Sequence, residues 1–206
     1  MSFISLQRRS FFGALVAVGL GLLAAAPASR AAPAANDFVR QIGTETLDAL
    51  RDPSLTDEKR EALVRNLLDS HLDLESVGRF CLGRYSRSLN DAQRQEYSGL
   101  FRDYLVKVYS QLLAQYNGET LDVRPTSQQA GSETLVESFI NRPSGPPIRV
   151  EWKLHDKSGK LLLTDVIVEG VSMAFTQRQQ FESVIQNNGG KVDALFRAMK
   201  KQIARR

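Results

Sequence analysis

Apolar residues recur at every third or fourth position through the first half of the chain, which is the spacing of amphipathic helices. A first helix is predicted to end before Pro53, because proline cannot continue the helical hydrogen-bond ladder. Thr56 offers a capping hydroxyl to a second helix, and Gly83 closes a short third helix that begins near Asp73. The longest helix is expected over Ala92–Tyr116, with Asn90 or Asp91 as its cap, and its apolar stripe is wider than a coiled-coil seam.

After Gly118 the apolar spacing changes to every second residue, which indicates β-strands. The segment Leu161–Val171 is apolar on both faces for much of its length, as expected for a strand at the centre of a covered sheet. Four strands are predicted, about residues 121–125, 135–140, 148–155 and 161–171, and helices follow about residues 175–187 and 192–204.

This order of helices, then strands, then helices favours an α+β fold. We expect a curled antiparallel sheet of about four strands, wrapped by the N- and C-terminal helices, with an apolar cavity between the layers. Cavities of this kind take small or lipidic ligands.

The N-terminus has the order of regions that is typical of a secretory signal peptide. Arg8 and Arg9 precede an uncharged run over residues 10–29, and small residues follow. The segment Gln7–Phe12 resembles a twin-arginine export signal, with an ordinary Sec signal or an uncleaved membrane anchor as alternatives. Cleavage is expected after Ala28, Ala31 or Ala34. We therefore predict a signal peptide over residues 1–31 and a single domain over residues 32–206.

Charge and cysteine content narrow the class of protein. The net charge of +4 falls to +1 without the three arginines of residues 1–31, which argues against nucleic-acid binding. Cys81 is the only cysteine, so no intramolecular disulfide forms, and its apolar neighbours predict a buried, inert thiol. The two histidines, His71 and His155, lie in no ligand-like cluster, and neither a metal nor a cofactor is expected.

The segment Gly170–Ala174 has the strand-to-helix setting of a nucleophile elbow but lacks the chemistry of one. Alanine replaces the second glycine of the G-x-S-x-G pattern, and no histidine follows Ser172. Ser172 and Thr176 are expected instead to satisfy the backbone where the strand ends and the helix begins. Asp165 and Arg178 are expected to form a structural ion pair, or alternatively to contact a ligand headgroup. The chain is therefore not predicted to be an enzyme.

Several segments resemble the MlaC family, also called the toluene-tolerance or ABC-transporter auxiliary family of periplasmic phospholipid-binding proteins. The resemblance covers about Asp37 to Ile203, and a hopanoid-associated branch, HpnM, belongs to the same family. Where the family has tyrosine this chain has Gln177, and Leu162 lies near the usual tryptophan. The matching segments are residues 80–85, residues 89–94, the apolar helix over residues 101–116, and the D-V-x-x-x-G-V-S stretch over residues 165–172 with Arg178 and Phe181 behind it.

The resemblance implies a periplasmic carrier that shields the acyl chains of a phospholipid or hopanoid-type lipid. Its implied partners are an inner-membrane ABC transporter complex with its substrate-binding subunit and an outer-membrane lipoprotein complex. Such a system maintains outer membrane asymmetry, and no nucleic acid takes part. Two other functions stay open at this point: a periplasmic adaptor of an ABC transport system without lipid cargo, and an enzyme acting on a sterol-like substrate.

Apolar face and family position together select candidate lipid-binding residues, and two arginines are candidates for the headgroup end of the site. The predicted walls are Val77, Phe80, Cys81 and Leu82 of the short helix, Phe101, Tyr104, Leu105, Val108, Tyr109 and Leu112 of the long helix, and Phe139, Val150, Trp152, Leu154, Val166 and Val168 of the sheet. The predicted headgroup residues are Arg84 and Arg178.

Overall fold

The structure is a computed structural model that describes residues 31–205, so residues 1–30 of the predicted signal peptide lie outside the described residues. In chain order the elements are α1 (Ala31–Leu50), α2 (Asp57–His71), α3 (Leu74–Leu82), a 3-10 helix (Gly83–Arg87), α4 (Asp91–Leu113), β1 (Thr120–Ala130), β2 (Glu133–Asn141), β3 (Ile148–Lys157), β4 (Lys160–Val168), β5 (Val171–Ser172), α5 (Met173–Gln186) and α6 (Val192–Ile203). The predicted mixture of helices with an antiparallel sheet is confirmed. Within residues 31–205, no helix combines the length and the apolarity needed to span a bilayer.

The helices begin at the capping residues that the sequence indicates. Thr56 accepts a hydrogen bond from the Lys59 backbone N–H at 3.3 Å. Asn90 and Gln93 form a reciprocal capping box at the start of α4, with bonds of 2.8 and 3.1 Å. Helix α4 ends at Leu113, three residues before the predicted end.

The sheet is antiparallel with its strands in sequence order from β1 to β5. The predicted single strand Leu161–Val171 is wrong, because Glu169 and Gly170 take φ angles of 50° and 80° and form a tight hairpin turn. Val168 therefore pairs with Val171 rather than continuing into it. As a result β4 lies next to the sheet edge that the two-residue β5 forms, not at the centre of the sheet.

The interior is divided into two apolar clusters. The larger, the helical core, contains side chains from α3, α4, α5 and α6, with the Phe101 ring 5.5 Å from Tyr97 and 6.3 Å from Phe181. The smaller, the sheet core, lies where α1 packs on the sheet and contains Val136 and Leu154, both fully buried. The two layers thus have separate cores.

Strand β4 joins the helical layer to the sheet. The Asp73 backbone N–H, at the start of α3, donates to the Leu163 carbonyl at 2.9 Å. Helices α2, α3 and α5 all approach β4, whereas α4 packs chiefly on α2 and α6. The long helix therefore packs chiefly on other helices.

Candidate functional site

The bend between β5 and α5 is held by one carboxylate and one hydroxyl. The Ser172 hydroxyl donates to Asp165 Oδ2 at 2.5 Å and accepts from the Phe175 N–H at 3.0 Å. Asp165 Oδ1 also accepts from the Ala174 N–H at 2.9 Å, and Thr176 donates to the Ser172 carbonyl at 2.8 Å. Ser172 is therefore a helix cap, as the sequence predicts, and its hydroxyl proton is committed to Asp165.

The predicted ion pair between Asp165 and Arg178 is wrong. Asp165 is occupied by the first turn of α5, and Arg178 bonds instead to Glu182, one helical turn later, at 3.1 Å. The Arg178 guanidinium also lies 5.5 Å from the centroid of the Phe80 ring. A Cβ at Gly83, where φ is +56°, would collide with the Glu182 carboxylate, so glycine leaves space for this ion pair.

Beside Phe80 lies an open cleft of about 740 Å³, here called the arginine cleft. Its arginines come from four different elements, α3, the 3-10 helix, α4 and α5. Five guanidinium groups therefore converge through the tertiary fold and not through one basic run. The lining residues are Ser76, Arg79, Phe80, Gly83, Arg84, Ser86, Arg87, Arg94 and Arg178.

A second, smaller cleft of about 230 Å³ adjoins the arginine cleft and shares Ser76 and Phe80 with it. One side carries an ion pair between Lys153 and Glu133, with Nζ and Oε2 2.9 Å apart. The remaining lining residues are Val77, Thr164, Asp165 and Ala174. The Phe80 side chain, 43% exposed, thus forms a partition between the two clefts.

Behind this second cleft the interior groups that can ionise are held neutral. Burial raises the pKa of the Cys81 thiol to about 12, and its Sγ lies 3.7 Å from the Ala174 carbonyl oxygen. Burial also raises the pKa of Tyr104 and of Tyr109. The Tyr104 hydroxyl donates to Gln177 Oε1 at 3.3 Å. The Cys81 thiol and the Tyr104 and Tyr109 phenols are therefore uncharged at neutral pH.

The structure brings most of the predicted helical wall residues together. Val77, Cys81, Leu82, Phe101 and Leu105 are buried in the helical core, and Tyr104 and Tyr109 pack against it. Val108 is half-buried on the same helix. Leu112 is 56% exposed near the end of α4, so it covers little of this core.

The predicted sheet residues do not form one wall. Val150, Trp152, Leu154, Val166 and Val168 share one face, as the pairing of β3 with β4 requires. Trp152 and Leu154 on this face belong to the sheet core, and the Trp152 indole donates to Ser138 Oγ at 2.8 Å.

Phe139 lies on the other face of the sheet. It pairs with Arg149, whereas Val150 pairs with the neighbouring Ser138. The Arg124 guanidinium lies 4.6 Å from the centroid of the Phe139 ring. Phe139 and Val150 therefore cannot line the same cavity.

Arg84 and Arg178, the predicted headgroup residues, both line the arginine cleft. Beside them lie Arg79, Arg87 and Arg94, which the sequence pattern did not predict as site residues. A local signal existed for one of these residues, since side chains three apart on a 3-10 helix eclipse and Arg87 follows Arg84 by three. Arg94 and Arg178 come close to the other cleft residues only because α4 and α5, which are distant in sequence, pack near α3.

Comparisons with known proteins agree with this architecture. The model of the MlaC protein family matches residues 40–201. The chain is 27% identical over 193 residues to the toluene tolerance protein ttg2D of Pseudomonas putida, covering 90% of this chain and 89% of the relative. It is 25% identical over 144 residues to the intermembrane phospholipid transport system binding protein MlaC of Haemophilus influenzae, covering 68% of this chain and 66% of the relative.

A solved structure shares the fold. It is a phospholipid-binding protein from Ralstonia solanacearum in complex with a phospholipid, which aligns with a TM-score of 0.73 at 22% identity. The alignment covers 82% of this chain and 97% of that chain. With the family match spanning most of its length, the chain belongs to the MlaC protein family.

Proposed function

We propose that this chain is a periplasmic lipid carrier that holds the acyl chains of a phospholipid between its helical layer and its sheet. The carrier receives lipid from one membrane-bound complex and delivers it to another, an inner-membrane ABC transporter and an outer-membrane lipoprotein complex being its two partners. A hopanoid-type lipid is the alternative cargo. The names of the relatives, one a phospholipid transport system binding protein, support the class of ligand.

The observation that carries the proposal is the junction at Phe80. On one side of this ring lies the arginine cleft, and on the other a smaller cleft reaches Val77 and Ala174 beside the apolar interior. A phospholipid needs this combination, because its phosphate seeks guanidinium donors while its chains seek apolar walls.

The physics of lipid transfer explains why a carrier is needed. Each buried CH₂ group contributes about 0.8 kcal/mol, so one sixteen-carbon chain amounts to roughly 12 kcal/mol. A lipid therefore does not cross an aqueous gap unaided at a useful rate. A carrier with apolar walls removes most of this barrier, and because exchange between similar environments is nearly balanced, the carrier itself requires no nucleotide site.

We further propose that residues 1–31 are a signal peptide that is removed on export. Ala35 is fully buried, and the Asn36 side-chain amide donates to the Pro125 carbonyl at 2.8 Å. Cleavage after Ala34 would place a charged amino terminus at the buried Ala35, which is costly, so cleavage after Ala28 or Ala31 is favoured.

The intact mass of the exported protein tests the cleavage site. Substituting lysine for both Arg8 and Arg9 tests the route, since a twin-arginine signal then fails and a Sec signal does not.

Native mass spectrometry of the mature protein from a periplasmic extract, followed by solvent extraction, tests the carrier function. A discrete added mass that resolves into a diacyl phospholipid or a hopanoid is the expected result. A bare protein mass that stays unchanged after incubation with lipid vesicles would remove the carrier proposal. It would favour an adaptor that binds protein partners only.

A pair of matched variants tests whether the acyl chains reach the sheet face that carries Trp152 and Val166, which is opposite the face that carries Lys153 and Asp165 of the smaller cleft. Val166→Glu introduces a charge on the half-buried sheet face beside Trp152, and we expect it to abolish lipid retention. Ala198→Glu adds the same charge at an exposed position of α6 and should retain lipid. Circular dichroism confirms that both variants are folded. Full lipid stoichiometry in a folded Val166→Glu protein would show that this sheet face does not contact the chains.

A further inference from the structure

We infer that the arginine cleft selects cargo by headgroup charge, so that this carrier prefers lipids whose headgroup carries net negative charge over zwitterionic ones. The inference rests on the proposed carrier function and names the ligand class of the same site. It goes beyond phospholipid binding as such, for which a single phosphate contact is sufficient.

The charge balance of the cleft is its first support. Arg79, Arg94 and Arg178 each have one carboxylate within 4 Å, at 3.8, 3.4 and 3.1 Å respectively. Among residues 31–205, Arg84 and Arg87 form no ion pair. The lining itself contains no acidic residue. The guanidinium groups of Arg84 and Arg87 thus have no carboxylate partner in the arginine cleft, among the residues that the structure describes.

The carboxylates that pair with Arg79 and Arg94 leave some guanidinium N–H donors of these arginines free. The ion pairs of Arg79 and of Arg94 join exposed side chains, and such pairs contribute little in water. The Arg79–Glu75 contact, at 3.8 Å, is too long for a hydrogen bond. Arg94 donates one bond to Asp91 and one to the Ser86 carbonyl, both at 3.4 Å. A guanidinium has five N–H donors arranged for two-pronged contact with phosphate. The cleft therefore has enough free N–H donors to bind a phosphate and further headgroup oxygens.

The consequence for selectivity follows from the charges of the headgroups. A zwitterionic headgroup brings a phosphate and also an ammonium, and the ammonium is repelled by the two unpartnered guanidinium groups. A headgroup such as phosphatidylglycerol brings only the negative charge and neutral hydroxyls, which also accept hydrogen bonds from arginine. The cleft volume of about 740 Å³ leaves room for groups beyond the phosphate.

The position of the cleft makes headgroup charge matter for cargo choice. Arg178 contacts the Phe80 ring, and Phe80 separates this cleft from the smaller one that reaches Ala174. A phosphate held at Arg178 lies directly beside the route that we propose for the acyl chains. Charge recognition and chain insertion are therefore coupled at one aromatic side chain.

Loading from mixed vesicles tests the inference. Delipidated mature protein is incubated with vesicles of equimolar dioleoylphosphatidylglycerol and dioleoylphosphatidylethanolamine, and the bound lipid is identified by native mass spectrometry. Both lipids are present in the same vesicle, so a difference in how strongly the protein docks on different vesicles cannot change the ratio of the bound lipids. That ratio therefore measures the preference of the binding site. We expect roughly tenfold enrichment of phosphatidylglycerol, the effect of one favourable charge interaction.

A double variant and a matched control assign the effect to the cleft. Arg84→Gln/Arg87→Gln should lower the enrichment to about twofold or less, because it removes the two cleft guanidinium groups that form no ion pair within residues 31–205. The ratio of the two bound lipids measures this preference whatever the total amount of lipid loaded, and both residues are exposed, so the variant should fold. Arg197→Gln/Arg205→Gln, which removes two exposed charges from the C-terminal region, should keep the wild-type preference.

The outcomes separate this inference from the carrier proposal. Equimolar loading at full stoichiometry, or an unchanged preference in the cleft variant, overturns headgroup selection and leaves the carrier function standing. An absence of any bound lipid overturns both. If inorganic phosphate binds in an Arg84- and Arg87-dependent way while loaded lipid shows no preference, the cleft serves a soluble anion and headgroup selection is overturned.

Discussion

Asp165 and Ser172 meet across the last hairpin of the sheet, with the Ser172 hydroxyl oxygen 2.5 Å from Asp165 Oδ2. The same carboxylate accepts the Ala174 N–H at 2.9 Å, so one side chain of β4 anchors the first turn of α5. Helix α5 in turn carries Arg178 to the arginine cleft and Phe181 to the helical core. The hydrogen bonds of Asp165 to Ser172 and Ala174 therefore help to determine where the arginine cleft lies relative to the helical core.

Removing the carboxylate should loosen this anchor. In Asp165→Ala the Ala174 N–H and the Ser172 hydroxyl lose their acceptor, and we expect the free energy of unfolding to fall by about 2–4 kcal/mol. Urea denaturation measures the change. Asp48→Ala, which removes an exposed ion pair at the end of α1, should change stability by less than about 1 kcal/mol. Equal losses in the two variants would mean that Asp165 has no anchoring role.

Ser172→Ala should cost stability without affecting lipid binding. The hydroxyl caps α5 through the Phe175 N–H, and loss of such a cap costs about 1 kcal/mol. The hydroxyl donates to Asp165 and accepts from the Phe175 N–H, so both of these hydrogen bonds hold the bend. We expect unchanged lipid stoichiometry by native mass spectrometry. Lipid hydrolysis by the wild type that the variant lacks would instead identify Ser172 as a nucleophile.

Local chemistry made several elements predictable. The caps at Thr56, Asp73 and Asn90 act within three residues of themselves, so the sequence alone indicates where α2, α3 and α4 begin. The alternation around Val150 and Leu154 likewise predicts a strand with one buried face, and the structure places both side chains in the interior.

Other features depend on contacts between residues that are distant in sequence, so they could not be predicted from the sequence. The turn at Glu169 and Gly170 lies inside a continuous apolar run, and Glu169 takes its left-handed conformation where its carboxylate accepts the Arg149 N–H on the neighbouring strand. Phe139 looked like a wall residue by hydrophobicity, but strand pairing puts it on the face opposite Val150. Arg94 reaches the arginine cleft from the start of α4, a placement that depends on helix packing.

Two helical glycines should respond in opposite directions to alanine. A Cβ on Gly43 would collide with the Leu121 side chain where α1 packs on β1, so Gly43→Ala should destabilise the protein by about 1–3 kcal/mol. Gly99 in α4 has open space around its Cβ position, and Gly99→Ala should stabilise by about 0.5–1 kcal/mol through helix propensity. Thermal and urea unfolding measure both. Stabilisation by Gly43→Ala would show that the Leu121 side chain moves aside at a cost smaller than the gain in helix propensity.

The buried thiol and phenols make stability sensitive to alkaline pH. The Cys81 pKa rises from an ordinary value of 9.0 to about 12 in the folded protein, and burial also raises the pKa of Tyr97 and Tyr109. Above pH 9 the unfolded chain loses the thiol proton while the folded chain keeps it. The unfolded state then binds fewer protons, so the free energy of unfolding falls as pH rises, by up to about 1.4 kcal/mol per pH unit for each such group.

Urea denaturation across this range measures the slope, and Cys81→Ala isolates the thiol. Between pH 9.0 and 10.0 the unfolded thiol ionises before the unfolded tyrosines do, so the variant should show a flatter dependence there. Ala174→Gly also removes buried volume from the helical core but no titrating group, so it should lower stability and keep the wild-type slope. If Cys81→Ala retains the full wild-type slope, the folded thiol ionises near its ordinary pKa and the interior beside α4 is open to water.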